Sequence, residues 1–102
     1  PNPPTALFCY NDVVALGAML GLKEEGIVPG RDIAVVGFDN IQESALFQPP
    51  LTTVAAFPEK IGAYAAKQLH ERMRGDASAP KRTILQPELV IRQSSGKREE
   101  KR

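Results

Sequence analysis

The chain is poor in the residues that build metal centres, disulfides and aromatic platforms. Its 102 residues include one cysteine, Cys9, one histidine, His70, and no tryptophan. A single cysteine cannot form a disulfide within the chain, and one Cys with one His cannot supply the usual ligands of a zinc site. The aromatic share of 6% argues against a surface that stacks single-stranded bases. We expect no metal and no cofactor, and we expect Cys9 to be a small apolar residue in a reducing compartment.

The chain also lacks a strong charge of one sign and a long apolar run. Thirteen Lys and Arg against 12 Asp and Glu give a formal net charge of +1, so no net field attracts nucleic acid. Its apolar runs are far shorter than the roughly 18 residues of a membrane span. The first four residues have neither a basic start nor an apolar core, as a secretory signal would. These absences favour a cytoplasmic protein without a membrane partner.

No catalytic constellation is visible in the sequence. His70 lies beside Glu71 in a predicted helix and has the setting of a surface side chain. Ser94 has neither a nucleophile elbow nor a neighbouring base. Asp12 and Asp39 would make a carboxylate pair for hydrolysis, but nothing supplies the raised pKa that such an acid needs. We therefore expect that the chain is not an enzyme.

Strand and helix patterns alternate along the chain, whose hydrophobic share of 42% is typical of a globular protein. Apolar runs predict strands at residues 6–10, 32–39 and 51–57, and one kinked or two short strands at residues 83–85 and 88–91. Helices are predicted at residues 13–25 and 58–75. This order predicts an α/β fold with βαβ units and a mostly parallel sheet. Two helices cannot cover both faces of such a sheet, so we expect part of a larger α/β protein.

Polar residues follow the first two predicted strands. Asn11 and Asp12 come after the first, and Asp39 and Asn40 after the second. Ligands of open parallel sheets bind beyond the carboxyl ends of the strands, where these amides and carboxylates could hydrogen-bond a polyhydroxylated or heterocyclic small molecule. The alternative is structural: Asp12 caps its helix and Asp39 accepts hydrogen bonds from turn amides. Both interpretations remain open at this point.

Two apolar side chains are additional to those that the chain needs to cover one face of a sheet. Leu16 belongs to a broad apolar face of the first predicted helix, and Phe47 lies outside the predicted strands, just before Pro49 and Pro50. A subunit interface could use both side chains. Ordinary burial against other sequence is the alternative.

Six sequence blocks are informative when they are taken together. They are PTA at residues 4–6, NDVVALG at 11–17, GIVP at 26–29, DIAVVGFDN at 32–40, PLTTV at 50–54 and LVIRQSS at 89–95. In their order and spacing over residues 4–95, these blocks resemble the lac repressor/gal repressor (LacI–GalR) family of transcription regulators.

The resemblance implies part of a periplasmic-binding-protein-like (type I) fold, in which two subdomains close around a small molecule. That effector is a sugar, a nucleoside or a purine-like compound. Residues 1–53 would belong to the carboxyl-terminal subdomain and residues 54–88 to the amino-terminal subdomain. Residues 89–95 would form a returning strand, and residues 96–102 a tail.

The resemblance also implies roles for individual residues. Asn11 and Asp39 match positions that contact the effector, Asp12 matches the helix cap, and Leu16 and Phe47 match positions at the dimer interface.

One position departs from the family pattern. The third crossing between subdomains usually presents a glutamine near Ala56, but here the sequence is Ala55, Ala56, Phe57. We expect Phe57 to stack on the effector or pack beside it.

The implied partners are a small-molecule effector, a second copy of the chain and operator DNA. DNA would be bound only through an amino-terminal helix-turn-helix that is not among these residues. The alternative is a periplasmic sugar-binding protein of an uptake system, which shares the fold. The sequence of residues 49–53 and 90–92 favours the regulator.

Overall fold

The computed structural model describes residues 2–96, so the predicted tail at residues 97–102 lies outside the described residues. Its strands are β1 (Ala6–Phe8), β2 (Ala34–Val36), β3 (Thr53–Ala55) and β4 (Glu88–Val90), and its helices are α1 (Asp12–Glu24) and α2 (Pro58–Met73). Two short 3-10 helices cover Gln42–Leu46 and Gln93–Ser95. None of the described helices is long and apolar enough to cross a membrane.

β1, α1 and β2 form the predicted βαβ unit. β1 pairs with β2 in parallel, with Ala6 opposite Ala34 and Phe8 opposite Val36. The helix between them begins directly after β1 and ends before Gly26, whose positive φ of 75° suits a residue without a Cβ. The predicted α/β fold with a parallel strand pair is therefore confirmed.

The hydrogen-bonded strand array continues beyond β2. Val36 forms a parallel bridge with Thr52, and the amide of Asp39 donates to the Val54 carbonyl at 2.9 Å. β3 then pairs antiparallel with β4, with Thr53 opposite Val90. β3 and β4 thus form a second two-stranded sheet, which the bridge between Val36 and Thr52 joins to the β1–β2 pair.

The strand predicted at residues 83–85 is wrong. Thr83, Ile84 and Leu85 adopt no strand, and the extended segment begins only after Pro87, at Glu88. A strand needs a neighbour for its backbone groups, and no described strand pairs with these three residues.

The hydrophobic core lies between α1 and the strands. Ala15 and Met19 of α1 pack against Val35 and Leu51, and all four are at most 1% exposed. β1 is less covered than its apolar run predicts: Phe8 is 73% exposed. The reason is that α1 is the helix that packs on this βαβ unit, and the described residues supply no second layer over β1.

The described residues separate into two compact units. The first combines residues 2–55 with 88–96, and the second is Ala56–Pro87. α2 makes up half of the second unit and contains no buried residue, although its sequence predicts an apolar face. That face stays open in this chain, from Tyr64 at 45% exposed to Met73 at 76%.

Candidate functional site at the carboxyl edge of β1 and β2

Asn11 caps α1. Its backbone is extended, with φ −155° and ψ −179°, and its side-chain Oδ1 accepts a hydrogen bond from the amide of Val14 at 2.9 Å. The predicted cap, Asp12, is therefore wrong by one residue. Asp12 is already the first helical residue, and a cap must have extended backbone so that its side chain reaches the amide three residues on.

Asp12 instead joins α1 to the loop that follows β2. Its carboxylate is fully buried; Oδ2 accepts from the amide of Ile41 at 2.8 Å, and Oδ1 accepts from Thr53 Oγ1 at 2.6 Å. The amide of Asp12 donates to the Phe38 carbonyl at 3.0 Å. The two polar corners predicted from sequence are thus brought together at one edge of the strands.

Asp39 and Asn40 turn the chain sharply at the end of β2. Both have positive φ, 112° for Asp39 and 52° for Asn40, which costs a non-glycine residue roughly 1–3 kcal/mol. The amide of Asn40 donates to Thr53 Oγ1 at 3.1 Å. The Asp39 side chain is exposed and, within residues 2–96, accepts no hydrogen bond. The structural alternative, in which it satisfies turn amides, is therefore not observed.

Arg92, in the segment after β4, lies behind this turn. Its Nη1 donates to Ser44 Oγ at 2.8 Å and to the Leu51 carbonyl at 3.0 Å, while Nη2 donates to Asn40 Oδ1 at 3.1 Å. Its amide donates to Thr52 Oγ1 at 2.7 Å. One side chain thus connects the last described segment to the loop that carries Asp39.

Ser94 completes the polar network. Its buried hydroxyl donates to the Val35 carbonyl at 2.6 Å and accepts from the amide of Thr52 at 2.8 Å. Ser94, Arg92 and the two threonines lie in the sequence blocks that resemble the LacI–GalR family, but none of them was predicted as a site residue. The available signal was the pair of polar threonines, Thr52 and Thr53, inside an otherwise apolar strand pattern.

Phe57 belongs to the second unit, whereas Asn11 and Asp39 belong to the first. It precedes α2 in a left-handed conformation, φ 55° and ψ 59°, and its ring centroid lies 4.8 Å from Lys60 Nζ. A cation over the ring face is a favourable contact. Its role beside an effector stays a prediction.

Leu16 and Phe47 also stay predictions as interface residues. Phe47 is half-buried against the core cluster, and Leu16 is half-buried on α1. Val13, Val14 and Leu20 of the same helix are exposed by 49% to 64%. The apolar face of α1 is therefore wider than the part that this chain covers.

No group of three His, Cys, Asp or Glu side chains within the described residues could hold a metal ion. Cys9 is half-buried, and that burial raises the pKa of its thiol. A thiol with a raised pKa is less ionised and so a weaker nucleophile at neutral pH.

Comparison with known protein families defines the class. The family described as periplasmic binding protein-like domain matches residues 1–95. The chain therefore belongs to this family, whose α/β architecture agrees with the observed βαβ unit.

The curated relatives narrow the class to regulators. The chain is 43% identical over 91 residues to the HTH-type transcriptional repressor PurR of Pasteurella multocida, covering 89% of the chain and 27% of that protein. It is 40% identical over 95 residues to the repressor CytR of Escherichia coli K12, covering 93% of the chain and 28% of that protein. The chain thus spans little more than a quarter of these relatives.

Solved structures agree. A lac repressor dimer bound to operator and the anti-inducer ONPF matches with TM-score 0.83 and 36% identity, over 90% of the chain and 28% of that protein. The complex of the transcriptional regulator CelR with cellobiose matches with TM-score 0.84 and 32% identity. This match covers 88% of the chain and 28% of that protein. These likenesses confirm the resemblance to the LacI–GalR family and do not favour an uptake protein.

Proposed function

We propose that these residues form part of the effector-binding core of a LacI-type transcriptional repressor. The observation that carries the proposal is that Asn11 and Asp39 lie at the same carboxyl edge of two parallel strands. A hydrogen bond from the Asp12 amide to the Phe38 carbonyl joins the two segments there. Ligands of open α/β sheets bind at such edges. The matched relatives are transcriptional repressors rather than enzymes, which supports a sensing role without catalysis.

The chemistry of this edge fits a small molecule rich in hydroxyl or N–H groups. The exposed Asp39 carboxylate accepts hydrogen bonds, and the amide nitrogen of Asn11 can donate one because its oxygen already caps α1. Phe57 would add an apolar ring face. A sugar, a nucleoside or a purine-like compound has the groups to use all three, and the similar regulator CelR holds cellobiose.

The regulatory mechanism would be a shift between two states. Residues 1–53 and 54–88 would belong to two subdomains that close around the effector, with residues 89–95 crossing between them. An effector that binds the open and closed states with different affinity shifts their populations and thereby the affinity for operator DNA. DNA contact would come from a helix-turn-helix outside these residues, in a homodimer located in the cytoplasm.

Replacing Asp39 tests the assignment in the full-length protein. The wild type is titrated with glucose, cellobiose, adenosine, cytidine, adenine and guanine by calorimetry, and with operator DNA selected from a random library. We expect Asp39→Ala to weaken the best of the six compounds about 10- to 100-fold, because hydrogen bonds to charged groups contribute about 1.5–3 kcal/mol. Operator affinity without effector should stay unchanged.

Glu24→Ala is the matched control. It removes one exposed carboxylate at the opposite end of α1 and should alter neither affinity. Unchanged compound affinity in Asp39→Ala would refute the assignment of Asp39. A protein that binds one of the compounds but no DNA would instead support the uptake alternative.

A further inference from the structure

Within residues 2–96, the Arg92 guanidinium donates hydrogen bonds to neutral acceptors. Its three partners are the Ser44 hydroxyl, the Leu51 carbonyl and the Asn40 amide oxygen. The ion pairs formed within residues 2–96 are Arg31 with Asp32 and Lys81 with Glu71, so Arg92 pairs with no carboxylate there. Within this part of the chain, Arg92 thus acts through hydrogen bonds rather than through an ion pair. Its planar guanidinium has N–H groups that point in fixed directions, which suits three separate acceptors.

Asn40, whose side chain accepts a hydrogen bond from Arg92, has an unfavourable backbone conformation. Asn40 and its neighbour Asp39 both have positive φ, and such residues persist only where the surrounding structure holds them. The Asn40 amide is held by Thr53 Oγ1, and the next amide, of Ile41, is held by Asp12. Asn40 Oδ1 accepts from Arg92 Nη2 at 3.1 Å, and at the longer distance of 3.5 Å from Ser44 Oγ, which Arg92 also contacts. For Asp39, by contrast, the hydrogen bond within residues 2–96 is made by the backbone amide, which donates to the Val54 carbonyl at 2.9 Å.

We propose that Arg92 is a positioning residue for the effector edge. By fixing the Asn40 side chain in its left-handed turn, the guanidinium sets the direction in which the Asp39 carboxylate leaves the turn. Because Arg92 follows β4, the segment after β4 and the Asp39 turn share one anchor, and a displacement of either is transmitted to the other. The effector part of this inference rests on the proposed function; the link between Arg92 and the turn does not.

The test compares Arg92→Lys with Arg31→Lys in the full-length protein. Lysine keeps the positive charge but places a single ammonium that cannot donate along the three directions of the guanidinium. We expect amide hydrogen exchange at residues 39–41 to become about tenfold faster or more, since about one charge-assisted hydrogen bond is lost from the turn. Exchange in α1 around Ala15 and Met19 should stay unchanged. Arg31 is exposed, so its replacement should leave residues 39–41 as they were.

A second pair of variants separates positioning from general stabilisation. In Asn40→Gly, glycine adopts the left-handed conformation without strain, but the side-chain oxygen that accepts a hydrogen bond from Arg92 is removed. If Arg92 acts through Asn40, Arg92→Lys should weaken binding of the best of the six compounds about tenfold in the wild type and have almost no further effect in Asn40→Gly. A merely structural arginine would weaken both backgrounds equally, which would overturn the proposal.

The two proposals fail in different ways. Exchange at residues 39–41 that stays unchanged in Arg92→Lys overturns the positioning role. Absence of binding by all six compounds to the wild type contradicts the proposed effector class, while the exchange measurement still decides whether Arg92 holds the turn. Should Arg92→Lys unfold, Asn40→Gly alone must accelerate exchange at Ile41 about tenfold, or the inference is wrong.

Discussion

At the scale of single residues, Asp12 shows how a buried carboxylate is tolerated without a cationic partner among the residues that the structure describes. Burying an unpaired charge is costly, and the cost falls when the charge is hydrogen-bonded. Asp12 has the amide of Ile41 and the hydroxyl of Thr53 as donors. It also lies in the first turn of α1, where the positive end of the helix dipole stabilises an anion. Two hydrogen-bond donors and the start of the helix together offset the cost of burying this carboxylate.

Asp32 provides a pH test at the same scale. Its carboxylate accepts hydrogen bonds from Arg31 and from the amide of Val28 at 2.7 Å, and these lower its pKa below the usual value of 3.8. A lowered pKa in the folded state means that the ionised form stabilises the fold above the usual value, and that this contribution is lost as the pH falls through the lowered value.

We expect Asp32→Asn to reduce the free energy of unfolding at neutral pH. The difference from the wild type should shrink as the pH falls below 3.8 and approaches the lowered pKa. Urea denaturation followed by circular dichroism at neutral and acid pH measures both values. Glu24→Gln, an exposed carboxylate on α1, should show no such convergence. A difference that is the same at every pH would contradict the role of the Asp32 charge.

At the scale of elements, the close approach of α1 to β2 depends on Gly37. A Cβ at this position would collide with Asp12 Oδ1 and would lie 2.9 Å from Leu51 Cδ2 and 3.2 Å from Asp12 Cα. Gly37 is itself buried, and its neighbours belong to the core and to the polar network. The glycine therefore sets the distance between helix and strand.

Gly37→Ala should destabilise the protein by about 1–3 kcal/mol, as overpacking of a core does. Gly17→Ala is the matched control, because a Cβ at Gly17 meets nothing within 4 Å. Gly17 lies inside α1, where alanine is favoured over glycine by up to about 1 kcal/mol. Urea denaturation should thus shift the two variants in opposite directions, and equal shifts would mean that Gly37 does not control the packing.

At the scale of the whole molecule, α1 presents a wide apolar face. Leu16 is half-buried, and Val13, Val14 and Leu20 are exposed by about half or more of their surface. A face of this kind on a helix is typical of an interface. The lac repressor structure similar to this chain is a dimer bound to operator.

We expect Leu16→Lys to impair dimer formation in the full-length protein. A lysine that is buried unpaired at an apolar interface costs about 3–5 kcal/mol, which raises the dissociation constant at least a hundredfold. Light scattering or sedimentation measures the change. Ala66→Lys, which places a lysine at an exposed position outside the apolar face of α2, should leave the dimer intact. A Leu16→Lys variant that stays dimeric would exclude Leu16 from the interface.

The elements were more predictable than the contacts between them. The βαβ unit follows from apolar runs and helix-ending glycines, which are local signals, and the positions of Asn11 and Asp39 follow from it. The hydrogen bonds around Asp12 do not follow from local signals, because they join residues that are 29 and 41 positions apart in the sequence. Arg92 reaches Asn40 across 52 positions. Such bonds depend on register and backbone direction, for which the sequence carries no local pattern.

The pairing of β3 with β4 has a consequence for how the molecule could be altered. Ala55 lies opposite Glu88, so the chain leaves the first unit and re-enters it at adjacent strand ends, about 5 Å apart. A gap of that width is what a two-residue hairpin turn spans. Topologically, Ala56–Pro87 is a cassette at the tip of a β-hairpin. The three residue pairs that define the register of β3 and β4 all lie in the first unit, so we expect the register to be kept when Ala56–Pro87 is replaced by a tight turn.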